Sequence, residues 1–144
     1  MFKDKVTIYN YFRDSTNGNV NWFSTHIENV MWSEKTETSV SSDRHINIAQ
    51  SVSLKMPTNK IKCDKAYLPS VQWKKLSAEE KALYWTIDAD SLQDVIVKGL
   101  IDEVLSESYP PTDLKKDYEN VATVVIFADN TTRNGLKHYK VGAK

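Results

Sequence analysis

"RHINIAQSVSLKM", Arg44 to Met56, decides the fold class. Ile46, Ile48, Val52, Leu54 and Met56 fall on one side of an extended chain, interrupted only by Gln50. Asn47, Ala49, Ser51, Ser53 and Lys55 fall on the other. Successive side chains of a pleated strand leave on opposite faces, so this period of two reads as a half-buried antiparallel strand.

The flanking chain has the same character. "VTIYNYF", Val6 to Phe12, alternates, with Val6, Ile8 and Phe12 on one face and Thr7, Tyr9 and Tyr11 on the other. Its β-branched and aromatic residues suit a pleated surface. "DSTNGN", Asp14 to Asn19, contains Asn-Gly and reads as a turn or hairpin tip. "NWFSTHIENVMW" continues as strand. "SEKTETSVSSD", Ser33 to Asp43, is nearly devoid of apolar residues and reads as an extended, solvated arm.

After Met56 the pattern changes. "PTNKIKCDKAYLPS" is a loop that becomes extended at Ala66 to Leu68. "PSVQWKKLSAEEKALYW" is the best helical stretch, with Ser77 and Glu80 spaced as a capping box. Tyr84 to Ile87 returns to strand, "DADS" is a turn, and "DVIVKG", Asp94 to Gly99, is a short strand stopped by glycine. Pro111 opens one helical turn through Asp117. "ATVVIFAD", Ala122 to Asp129, is apolar on both faces and reads as a central strand, with Val125 taken as a core position. "KHYKVGA" alternates, with Tyr139, Val141 and Ala143 on one face. It lies at hairpin distance from "ATVVIFAD" and is expected to pair beside it.

The expectation is one mostly β domain over residues 1–144: a small antiparallel β-barrel or sandwich with one short inserted helix and extended polar arms. The segment at about 33–43 is the candidate protruding arm, and Asp14 to Asn19 the second. At 144 residues one core is large enough to fold without staples.

Composition narrows the function classes. Nineteen basic residues balance nineteen acidic ones, which argues against a general nucleic-acid binder. Cys63 is the sole cysteine, so no internal disulfide is available. No apolar run approaches the ~20 residues that span a bilayer. Charges and Thr7 interrupt any signal-peptide core near the start, so synthesis in a cytoplasm and no membrane partner are expected.

Sites for chemistry are sparse. His26, His45, His138 and Cys63 lack the close pair spacing of a structural zinc site, and sheet-surface histidines are the simpler reading. Asp88 and Asp90 lack the glycine and glutamate of a calcium loop, and an Asx turn is favoured. No nucleophile elbow, dinucleotide fingerprint or phosphate loop occurs. Lys60, Lys62 and Lys65, and the pair Lys74 and Lys75, read as solvated faces, with contact to phosphate or an acidic partner as the alternative. Trp22, Trp32, Trp73 and Trp85 sit among apolar neighbours and read as core. No catalytic, cofactor or metal site is expected.

Several segments in order carry a resemblance: "VTIYNYF", "HIENVMW", the polar arm, the strand ending in "MP", "DVIVKG", "PTDLKKDYENVATV" and the closing "DNTTRNGLKHYKVGAK". This order resembles the small minor capsid proteins of long-tailed phages and prophages of Gram-positive bacteria. Their tail end likewise runs from Asp-Asn through an arginine-containing loop to a close like Lys137 to Lys144. Lys60 to Glu80 departs most from that pattern, and its role stays open.

The resemblance implies a small β-barrel acting as a head-closure, or stopper, component of the virion neck. Such a protein forms a ring with copies of itself, of six- or twelve-fold order, between portal and adaptor proteins and the tail. Its lumen would touch passing genomic DNA. A tail-completion or tail-terminator ring of the same particle is the alternative, and a small ligand-binding or hydrolytic barrel the remote one. The residues assigned to the interface are Thr36 and Thr38 of the arm, Arg133 of the closing loop, and His138 and Lys140 of the last strand.

Overall fold

The computed structural model describes residues 2–40, 46–132, 135 and 137–144, with side chains other than those of 36–40 and 46–50. Six strands form a closed antiparallel barrel in the order β1-β2-β3-β8-β7-β6. They are β1 (Asp4–Arg13), β2 (Val20–Val40), β3 (Ile46–Pro57), β6 (Val95–Lys98), β7 (Val121–Asp129) and β8 (His138–Ala143). Closure comes from β6 pairing with β1, Ile8 opposite Ile96. The mostly β expectation therefore holds, and barrel rather than sandwich is the form it takes.

The alternating patterns become the barrel interior. Val6, Ile8, Ile27, Val30, Leu54, Met56, Ile96, Val124 and Val141 are fully buried in one cluster, joined by Trp32 and Trp85. Trp32, Leu54 and Val141 are successive register partners across β2, β3 and β8, so the row is continuous. The last strand lies inside the fold, between β3 and β7, as its spacing from "ATVVIFAD" implied.

β2 has 21 residues against the 10 of β1 because it serves two neighbours. Val20–Val30 pairs with β1 and Met31–Val40 with β3. The change of partner coincides with a register shift at Asp4/Lys5 and with Asn29 at φ 64°, a left-handed conformation that asparagine tolerates.

The second face of β1 is buried too. Tyr9, Val95 and Val97 pack outward against Leu105 and Leu114 of the segment 99–120. Gly99, at φ 97°, turns the chain back out of β6, and the Thr7 hydroxyl donates to its carbonyl oxygen at 2.8 Å. The helix α3 (Pro111–Asp117) in this segment starts with Pro111, as read from the sequence.

Three expectations need correction. The helical stretch is broken into α1 (Ser70–Trp73) and α2 (Ala78–Lys81). The capping box forms as spaced, with the Glu80 amide donating to Ser77 Oγ at 3.3 Å, but it restarts a helix because the chain has already turned after Trp73. Asp14–Asn19 forms the hairpin turn read from its Asn-Gly, and only its second assignment, as an extended arm, is corrected: the Gly18 amide donates to the Asp14 carbonyl at 2.7 Å and the Asp14 amide to the Asn19 carbonyl at 2.8 Å. In β7 the core position is Val124, not Val125. A register irregularity between Val124 and Ile126 takes Val125 out of the alternation and leaves Ile126 exposed. The Ile48 side chain, also assigned to the core, lies outside the described residues.

Segment 58–94, which contains the stretch Lys60 to Glu80 whose role the sequence left open, plugs one mouth of the barrel. β5 (Tyr84–Trp85) pairs in parallel with β4 (Ala66–Tyr67), Tyr67 opposite Trp85. Tyr67 meets Tyr139 at 4.5 Å between ring centres and Trp85 at 5.0 Å. Beside them Trp73 is clasped edge-on by Phe12 and Phe23. Of the four tryptophans read as core, Trp32, Trp73 and Trp85 are buried, the last two each 1% exposed, whereas Trp22 is only half-buried against the second cluster.

Candidate assembly surfaces

Pairing lengths decide what the opposite mouth looks like. β1 reaches only Asp4, opposite Val30, and β8 reaches only Ala143, opposite Val52. β2 and β3 continue together to Val40 opposite Ile46. Beyond Glu34/Val52, from Lys35/Ser51 onward, they form a two-stranded ribbon about 20 Å long at the usual rise per residue. Among the described residues no third strand pairs with either of its edges there. The Asp4 carboxylate caps the last β2 amide before the ribbon, accepting from the Trp32 amide at 2.9 Å. Ser33–Val40, the described part of the arm read from the sequence, is thus one strand of a paired ribbon.

Where β8 stops, a depression of about 350 Å³ opens between ribbon and barrel, lined by Glu34, Ser51, Val52, Asn120, Ala122 and Lys144 among others. It lies along β3 where the next residues of an added strand would run.

The five residues assigned to the interface are not brought together as one site. The backbones of Thr36 and Thr38 lie in the ribbon, opposite Gln50 and Ile48, and their side chains are outside the described residues. Arg133 is also outside them. His138 and Lys140 stand at alternate positions of β8, on the face away from Val141. His138 Nε2 is 3.3 Å from Asn130 Nδ2, which ties the ring to the closing loop. Lys140 is exposed, with Lys55 as its register partner on β3.

Two polar clusters were not legible in the sequence, and both belong to the plug. Asp94 is 1% exposed. Its Oδ1 accepts from the Tyr11 amide at 2.9 Å, and its Oδ2 from Asn10 Nδ2 at 3.0 Å and the Asp88 amide at 2.9 Å. Asn10 also donates to the Thr86 carbonyl at 2.6 Å. Burial pushes the Asp94 carboxyl up to about 6, against the pull of those three donors. The one sequence sign was Asn10, a polar residue on the inward face between Ile8 and Phe12. Lys81 is the second, 2% exposed, with Nζ 4.0 Å from the Phe12 ring centre and donating to the Lys74 and Leu76 carbonyls. Burial lowers its pKa.

The remaining candidates resolve locally. The amides of Asp90 and Ser91 donate to Asp88 Oδ1, the Asx turn read from "DAD", and Lys74 pairs with Asp88 at 2.5 Å. Lys62 pairs with Glu28 at 3.8 Å and Lys65 donates to the Ser24 carbonyl at 2.5 Å. His26 and Cys63 line one shallow depression of about 180 Å³, with His26 Nε2 2.7 Å from the Ile101 carbonyl oxygen. His45 lies outside the described residues. Among the described residues no group of three or more His, Cys, Asp or Glu is placed to hold a metal, and no helix is long and apolar enough to cross a membrane.

No curated protein and no solved structure matches the chain. Residues 1–144 match one family throughout, and the chain belongs to it: the family of unknown function DUF6751.

Proposed function

We propose that this protein is a structural component of the neck of a long-tailed phage particle, a head-closure ring subunit that joins the DNA-filled head to the tail, with no catalytic role. One observation carries the reading: a plugged barrel extends a ribbon whose two outer edges pair with nothing among the described residues. Open edges are a hazard in a free monomer and a joint in an assembly. Within the ribbon β2 and β3 are antiparallel, so the β2 edge of one copy can pair with the β3 edge of the next and continue an antiparallel sheet. Such a contact is heterologous, and it closes into a ring when the rotation per copy permits. The order of motifs from "VTIYNYF" to Lys144 supports the placement in a virion.

The test is imaging of particles made without this protein. DNA-leaking or tail-less heads with an incomplete neck are expected. Untailed heads that keep their DNA, beside tails of uncontrolled length, would move the protein to the tail terminus. Intact infectious particles would end the reading.

A further inference from the structure

The chain carries no formal net charge, yet two opposite sides of its barrel differ in sign. The outer face of β1 and β6 is covered by segment 99–120, which holds six carboxylates against two lysines. Asp102, Glu107, Asp117 and Glu119 are exposed in this segment, as are Lys115 and Lys116, and Val104 of the same segment is 75% exposed. In the ring order of six strands, β3 and β8 lie across the barrel from β6 and β1. No segment among the described residues covers their outer face. Its outward positions alternate with the core row of Trp32, Leu54 and Val141.

Those positions make a low floor of Ser33, Ser53 and Gly142, in register from strand to strand, ending at Ile126 on β7, which is 62% exposed. A Cβ on Gly142 would stand 3.2 Å from the Ile126 Cβ, so the glycine lets this isoleucine lie over the sheet. The adjacent row places Lys55 opposite Lys140. Among the outward positions of β2 beyond Val30, of β3 and of β8 whose side chains are described, none is a carboxylate; Glu37 stands at an outward position further along the ribbon, opposite Ala49, and its side chain is outside the described residues. Two ammonium groups opposed on one antiparallel pair repel each other. An anionic surface laid over both relieves the repulsion.

We propose that the uncovered lysine face of β3 and β8 docks on the acidic 99–120 cover of a second copy of this chain. This names the side-to-side contact of the ring and rests on the ring reading above. Each copy offers one face of each sign on opposite sides of its barrel, so the contact is head-to-tail and propagates around a ring. Ile126 and Val104 supply an aliphatic centre to each face, with the charges as rim. A nucleic-acid strand fits less well, because the lysine cluster is small and the complementary surface is already supplied, one for one, by the same chain.

The experiment is sedimentation of the full chain from micromolar to millimolar concentration at low and high salt. Its variants are Lys55→Glu/Lys140→Glu, Asp102→Lys/Glu107→Lys and all four together. All four sites are at the surface, and circular dichroism verifies folding. Wild-type association is expected to weaken with salt, and each charge-reversed pair to weaken it at least about tenfold. The four-fold variant, reversed on both faces, is expected to recover it. A monomeric wild type at every concentration, an unaffected Lys55→Glu/Lys140→Glu variant, or a four-fold variant as weak as the pairs would overturn the proposal. So would loss of duplex-DNA binding in that lysine variant with self-association intact. Association that ignores charge but vanishes when the ribbon is removed leaves the ring and sinks these faces. Charge-dependent association beside a normal neck in particles lacking the protein does the reverse.

Discussion

At one mouth of the barrel Tyr67, Trp85, Phe127 and Tyr139 close ranks, with Tyr139 5.8 Å from Phe127 and 5.7 Å from Trp85. At the other mouth the strands simply outrun their neighbours, and the ribbon leaves beside an open depression. Both ends are built from β-strands of ordinary composition. The difference is where apolar mass was spent. A segment with three tryptophan or tyrosine anchors folds back on the first mouth and stabilises the monomer. The ribbon has the pairing of its own two strands and no third strand on either edge among the described residues, so its edges stay available.

The contrast can be broken at several strengths. Val124 lies in the row that floors the open mouth, opposite Ala143, so Val124→Asp is expected to abolish folding by burying an unpaired carboxylate. Val125→Asp, one residue on, is expected to stay folded, with a loss of about 1 kcal/mol in urea denaturation. Equal effects would show that the irregularity in β7 is misplaced. At the plugged mouth, Trp85→Ala is expected to lower stability by about 3–5 kcal/mol, since its ring is buried in the barrel core.

The Asp94 peg should give the plug a pH signature. Its carboxyl moves from 3.8 to about 6 on folding, so the folded chain holds this proton more tightly than the unfolded one. Its contribution is therefore greatest below pH 4 and is lost as pH rises towards 6, by up to about 3 kcal/mol. Urea midpoints across pH 3.5–7 should show this fall in the wild type and not in Asp94→Asn. Parallel profiles would mean Asp94 titrates normally. Ser77→Ala removes only the cap of α2 and should lower stability by about 1 kcal/mol.

The smallest effect on stability belongs to the ribbon. Replacing residues 36–50 by Asn-Gly is expected to move Tm by no more than about 4 °C. A larger fall by calorimetry would show that the ribbon supports the barrel and that the two ends are alike after all.

Periodicity alone made the barrel strands legible, from Val6–Phe12 through Leu54 and Met56 to Val141 and Ala143, because a strand with one buried face must alternate. The capping box at Ser77 and the proline start of α3 were legible for the same local reason. The candidate interface was legible only as a polar stretch. That it is one strand of a paired ribbon follows from where β1 and β8 end, and a chain does not announce the length of its neighbours. Asp94, Lys81 and the opposed Lys55 and Lys140 were hidden for a like reason. Burial and charge opposition arise between residues 5 to 85 positions apart, and only closing the barrel sets those distances. Sequence determined which faces must be buried; tertiary structure decided which edges and which charges were left over.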